Sequence, residues 1–167
     1  MSMSLIPAFQ KEFESEVVVT RKMLSLVPND KYDWKPHEKS MTIKGLVTHL
    51  ADIFCWCSFM LNSSELDFTK MPYQNEEVND TTHLMSFFER KVVEGRTALA
   101  SAKEEQLTEP WSLRNGDLIY STNPKADVIR MSFSQIIHHR AQLGVFLRLL
   151  DIPIPGSYGP SADDMSF

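Results

Sequence analysis

Three residues carry donors from which a metal site could be assembled: His49, Gln135 and His139. The last two lie in the segment Gln135-Ile-Ile-His138-His139-Arg140-Ala-Gln142, inside a helical pattern running from about Pro124 to Leu150. At about 100° per residue, Val128, Ile129, Phe133, Ile136, Leu143, Phe146, Leu147 and Leu150 fall on one broad apolar face. His139 sits near the middle of that face and His138 at its edge. Gln135 precedes His139 by one turn, on the same side. Nitrogen or oxygen donors at this spacing inside a helical protein are a common way to hold a metal ion. The pattern fits equally a buried, hydrogen-bonded His beside a buried Gln, and on this helix alone that is the simpler account.

His49 belongs to a second helical pattern, about Thr42 to Asn62, capped by Ser40 or Thr42. Leu46, His49, Leu50, Ile53, Trp56, Cys57, Met60 and Leu61 share its inner face. Asp52 lies about 60° to one side, where it orients His49 or reaches solvent, solvent being favoured. Arg140 also falls on the broad apolar face of the last helix, and a buried guanidinium needs a partner. Glu12 and Glu16 are equally misplaced on the first helix. An Arg140–Glu16 or Arg140–Glu12 ion pair is therefore expected.

The elements that must position these groups follow from the apolar period. Leu5, Ile6, Phe9, Phe13, Val17, Leu24 and Val27 mark a first helix over about Ile6 to Val27, ended by Pro28-Asn29-Asp30. An extended linker from Lys31 to Ser40 follows, with Trp34 as a packed plug and His37 solvated. Residues 63–80 read as a polar loop containing Pro72, longer than helix connections usually are. Asp80 or Thr81 caps a third helix, about Thr82 to Glu105, whose inner face holds Leu84, Phe87, Phe88, Lys91, Gly95, Ala98, Leu99 and Ala102. Gly95 allows a close backbone approach, and His83 is read as exposed. Asn115-Gly116 between short apolar runs signals a small two-stranded flap or an irregular loop before the last helix. Ser134, Ala141 and Gly144 on the outer side of that helix leave room for another helix, and a proline-fixed tail follows. The fold expected is all-α, a four-helix bundle forming a single domain over residues 1–167.

Composition narrows the function. The chain has 167 residues, 43% hydrophobic and 23% charged, as in an ordinary globular protein. Its net charge of −5, without a run of one sign, argues against nucleic-acid partners. No apolar run is read as long enough to span a bilayer, and MSMSLIPAFQKEFESE lacks the layout of a signal peptide, so a cytoplasmic location is expected. Cys55 and Cys57, two residues apart on a helix, are expected to be free buried thiols.

Val47-Thr-His49-Leu-Ala-Asp52, then His138-His139-Arg140-Ala-Gln142-Leu and Leu147-Arg-Leu-Leu-Asp-Ile-Pro-Ile-Pro155, resemble the DinB/YfiT-like superfamily across nearly the whole chain. The stretch from Trp34 to Ile43 and the tail from Tyr158 to Asp163 fit the same pattern. The resemblance implies an up-down-down-up helix order and a metal-dependent enzyme. It also implies three histidines holding nickel or zinc, and thiol S-transferase, isomerase or hydrolase chemistry on a small molecule with a low-molecular-weight thiol. Position by position, the metal ligands are His49, Gln135 and His139, with glutamine standing where the family has a histidine. Three outcomes follow. Gln135 ligates through its neutral amide oxygen, a weaker donor than imidazole. A water or an acid such as Asp52 or Glu16 takes its place. Or the metal is lost, leaving a small-ligand-binding or stress-response bundle without catalysis. A homodimer is a further expectation.

Overall fold

The computed structural model describes residues 4–70 and 76–165. Helix α1 (Ile6–Leu24) places Phe9, Phe13, Glu16, Val17 and Thr20 inward. It stops before Val27, where Leu26 and Val27 donate to the carbonyls of Met23 and Leu24 and tighten the end. The linker to the next helix is a chain of turns, not the extended crossing expected. A short 3-10 turn covers Asn29–Lys31, and Trp34 and Ser40 donate back to Lys31 and His37. Trp34 does plug a gap, edge-on to Phe146 at 5.7 Å, and His37 is exposed.

The second helical arm is broken where a continuous helix is predicted. α2 (Ile43–Asp52) is capped by Thr42, whose hydroxyl accepts from the Gly45 N–H. A 3-10 turn covers Ile53–Cys55, and α3 (Trp56–Asn62) follows. Ile53, Phe54 and Cys55 are all buried. On a 3-10 turn successive side chains stand about 120° apart, so the burial of all three shows that packed elements surround this part of the arm on several sides. By length and composition Ile43–Asn62 does reach the range of a membrane span, contrary to the sequence reading. Here it is a core arm, with Ile43, Leu46, Val47, Leu50, Ile53, Phe54 and Leu61 nearly inaccessible.

α4 (Thr81–Ser101) begins at Asp80, whose carboxylate accepts from the His83 N–H, and ends four residues earlier than expected. α5 (Lys125–Leu149) matches its predicted range closely. The long loop contributes a strand, β1 (Glu65–Asp67); Pro72, assigned to that loop, lies outside the described residues. β2 (Pro110–Asn115) and β3 (Leu118–Pro124) form the hairpin, with Gly116 at φ +59° in the turn. β1 pairs parallel to β2, so the protein is mostly helical with a three-stranded sheet, not purely helical.

Side-chain contacts give the helix directions. Gln10, Glu14 and Arg21 of α1 meet Leu99, Arg96 and Glu89 of α4, an antiparallel pairing. Phe9, Glu12 and Glu16 meet Phe133, Arg130 and Arg140 of α5, a parallel one. Asp52 and Cys57 meet Lys91 and Gly95 of α4, again parallel. At Gly95 an added Cβ would stand 2.1 Å from the Phe54 carbonyl oxygen, so the close approach expected there is real. The core between the helices centres on Phe13, Phe54, Phe88 and Phe133. Each such ring contributes about 1.5–3 kcal/mol by leaving water. Gly144 does not face open space. It is buried, with Met23 and Ile154 of the tail 3.7 and 3.8 Å from where its Cβ would be.

Candidate metal centre

His49 comes from α2 and His139 from α5, and the fold brings their rings to 4.7 Å between centroids, nearly perpendicular at 81°. Both are half-buried, as is Gln135; His138 is exposed, stacked edge-on to His139 at 4.9 Å. Gln142, one turn on from His139, binds its Nδ1 at 3.0 Å. The bond fixes the ring and leaves Nε2 as the free position. Among the described residues, no hydrogen bond engages either ring nitrogen of His49, the Nε2 of His139 or the side-chain amide of Gln135. Burial holds both imidazoles below the usual 6.5. The neighbouring His139 lowers His49 further while Asp52 pulls the other way. His139 is lowered further by His138 and raised by the Gln142 bond. Both rings are therefore neutral near pH 7, the form that ligates a metal.

The wall behind His49 is one that sequence reasoning missed. Trp56 lies edge-on to His49 at 5.5 Å. Its indole N–H donates to Asp52 at 3.1 Å, and Asp52 also pairs with Lys91 at 2.9 Å. Asp52 is thus not turned to solvent, as the sequence suggested, but ties α2 to α4 with its side chain only 14% exposed. The i, i+4 spacing of Asp52 and Trp56 was the available signal. Lys91, placed on the inner face of α4, reaches Asp52 while its stem lies along the core. Its ammonium also donates to the Cys55 thiol at 3.5 Å. Cys55 and Cys57 are free and buried, and burial pushes both thiols up to about 12, so neither is a ready thiolate. His83, read as exposed, is half-buried and bound to Glu76 at 2.7 Å.

Neither acid considered as a substitute ligand is available. Glu16 accepts from Arg140 at 2.5 Å and from the Tyr158 hydroxyl at 2.7 Å. Arg140 donates further to Thr20 and Tyr158. The predicted Arg140 ion pair is therefore with Glu16, while Glu12 takes Arg130 at 3.3 Å. Among the described residues, no three His, Cys, Asp or Glu side chains converge as a metal-holding group. The donor set is two open imidazole nitrogens and, one turn before His139, a neutral amide. These suit a divalent ion that accepts few protein ligands and keeps other positions open. A groove of about 510 Å³ lies elsewhere, between α5 and the tail, lined by Met23, Gly144, Ile154 and Tyr158 rather than by the histidines.

The mostly helical fold is shared with solved relatives. The DinB family model matches residues 1–166, and the chain belongs to the DinB family. It is 27% identical over 139 residues to the uncharacterized protein YjoA of Bacillus subtilis (strain 168), covering 81% of this chain and 84% of that protein. The crystal structure of the DinB-like YjoA superposes with a TM-score of 0.71 at 21% identity, covering 90% of this chain and 96% of the other. A DinB-like protein from Bacillus cereus ATCC 10987 superposes with the same score at 17% identity, covering 93% and 100%. At these identities the structures bear on the fold alone.

Proposed function

We propose that this chain is a metal-dependent enzyme acting on a small molecule, with His49, His139 and the amide oxygen of Gln135 as ligands to nickel or zinc. The helices would then form the up-down-down-up four-helix bundle, the order their side-chain contacts support. The observation that carries the reading is the meeting of two neutral imidazoles, from α2 and α5, each with a ring nitrogen that no group among the described residues occupies. A divalent ion there would supply a Lewis acid that lowers the pKa of a water or low-molecular-weight thiol brought to it. The protein's own groups do the rest. Gln142 holds the His139 ring, Trp56 walls the His49 side and keeps bulk water from it, and Asp52 holds Trp56. Cys55 and Cys57 are not the nucleophile, because burial keeps them as thiols. Free thiols also fit a cytoplasmic setting.

Elemental analysis of protein purified without added metal, followed by calorimetric titration with nickel and zinc, tests the proposal. One ion per chain is expected, lost in His49→Ala and in His139→Ala. Gln135→His should tighten binding by about tenfold or more, since an imidazole replaces a neutral amide. A second reading, a bundle that binds a small ligand without catalysis, is favoured by the lack of a third imidazole or acidic ligand among the described residues. No uptake by the native chain, together with uptake by Gln135→His, would select it.

A further inference from the structure

The Asn115-Gly116 turn and the Asp67 carboxylate take no part in the metal centre, yet the fold joins them. Asn115 ends β2 opposite Leu118, and Gly116, at φ +59°, is the first central residue of the turn between them. The Asn115 side chain is exposed, and no hydrogen bond among the described residues holds its amide. Asparagine is a labile residue, and a following glycine leaves the next backbone nitrogen unshielded. In a chain free to turn, the Gly116 nitrogen attacks Cγ of Asn115. An N–Cγ bond forms, the Cγ–Nδ2 bond breaks, and ammonia leaves with the Gly116 amide proton. Water then opens the cyclic imide to aspartate or isoaspartate.

The structure holds the nucleophile of that reaction. Asp67, in β1, is 4% exposed, and its Oδ1 accepts from the Gly116 N–H at 2.9 Å. The same oxygen is fixed by the Thr69 N–H at 3.0 Å and the Thr69 hydroxyl at 2.7 Å. Arg114 Nε donates to the Gly116 carbonyl at 2.7 Å, so the glycine is gripped on both sides. Lys70 and Arg114 balance the carboxylate from its other oxygen, at 3.4 and 4.0 Å. The Gly116 N–H and then the Thr69 hydroxyl hold Asp67 well below the usual carboxylate range, so it is a poor base for the proton it binds.

We propose that Asn115 is a latent deamidation site and that Asp67 guards it, keeping the Gly116 N–H turned toward β1 and away from Asn115 Cγ. Ring closure requires the amide proton to be given up and the nitrogen to swing onto the side chain. The Asp67 bond opposes both steps. The guard is a contact between residues 49 apart in sequence, so it is lost whenever β1 parts from the hairpin. Conversion of Asn115 would add a carboxylate two residues from Asp117. Isoaspartate would also add a backbone carbon at the Asn115–Leu118 pair and disturb the register of the turn.

Prolonged incubation of the full chain at mildly alkaline pH, followed by tryptic digestion and mass spectrometry, tests this. Trypsin releases the peptide from Asn115 to Lys125. Its other asparagine, Asn123, precedes Pro124, which has no N–H, so conversion in this peptide reports Asn115. The chain unfolded in urea sets the unguarded rate. The native chain should convert at least about tenfold more slowly. Asp67→Ala removes the acceptor and should raise the native rate by about tenfold or more, with the far-ultraviolet circular dichroism spectrum unchanged. Thr69→Val, at an exposed position, loosens the carboxylate without touching Asn115 or Gly116 and should give an intermediate rate. Native conversion at the unfolded rate overturns the proposal. So does the native rate persisting in folded Asp67→Ala or, where that variant does not fold, in Thr69→Val, because strand geometry alone would then be the protection.

Discussion

His139 and Arg140 are neighbours on α5, yet the fold treats them in opposite ways. Arg140 is 3% exposed, and its guanidinium is occupied by Glu16, Thr20 and Tyr158. His139 is half-buried, has one ring nitrogen tied to Gln142, and presents the other beside His49. A helix turns about 100° per residue, so adjacent positions can serve different surroundings. Arg140 faces α1 and the tail; His139 faces α2. A buried charge is tolerable only when every donor is matched, which makes the Arg140 network an element of structure. A neutral imidazole tolerates partial burial with an open lone pair, and such a group is left over for chemistry.

The largest expected effect breaks the structural side of this pair. Arg140→Met leaves the Glu16 carboxylate buried without its partner, and urea unfolding should show a loss of about 3–5 kcal/mol. Replacing both partners together, Arg140→Met with Glu16→Leu, should recover much of it, because no orphaned charge remains. Tyr158→Phe removes one hydroxyl that joins the tail to both charges, at an expected cost of about 1–3 kcal/mol by the same measurement. A loss from Arg140→Met below 1 kcal/mol would contradict the structural role assigned to the network.

On the other side, His49→Ala and His139→Ala should each change stability by no more than about 1 kcal/mol while abolishing metal uptake. The split between unfolding and titration data would sharpen the contrast; a large loss of stability would erase it. The smallest effect is on pH dependence. Both histidines titrate below 6.5 in the folded chain and near 6.5 when unfolded. Between those values the unfolded chain binds more protons, so stability rises with pH across that window and falls on acidification below about 6.5. The thermal midpoint of metal-free native protein, compared with the His49→Gln, His139→Gln double variant, should show a gap that is constant above pH 7 and shifts below 6.5.

Much of the fold was legible because its signals are local. The apolar period located α1, α4 and α5, Thr42 and Asp80 were recognisable caps, and the misplaced Glu16 and Arg140 announced each other. The break at Ile53–Cys55 was not legible, since each of those residues suits a straight helix and no proline or glycine marks the change. The parallel strand β1 was hidden because three residues carry no periodicity and its partner lies in β2, far along the chain. Asp52 was misread because its partner Lys91 comes from another helix, though Trp56 at i+4 was visible.

By itself, then, the sequence determined which residues are candidates: His49, Gln135 and His139 at helical spacing on apolar faces, with glutamine in one ligand position. Tertiary structure alone decided that the two imidazoles meet at 4.7 Å, that Asp52 and Glu16 are engaged elsewhere, and that β3 lies open. The division has a simple cause. Side-chain type and helical phase are properties of a segment, whereas a shared point between helices, and the partner that claims a carboxylate, depend on contacts between residues far apart in the chain.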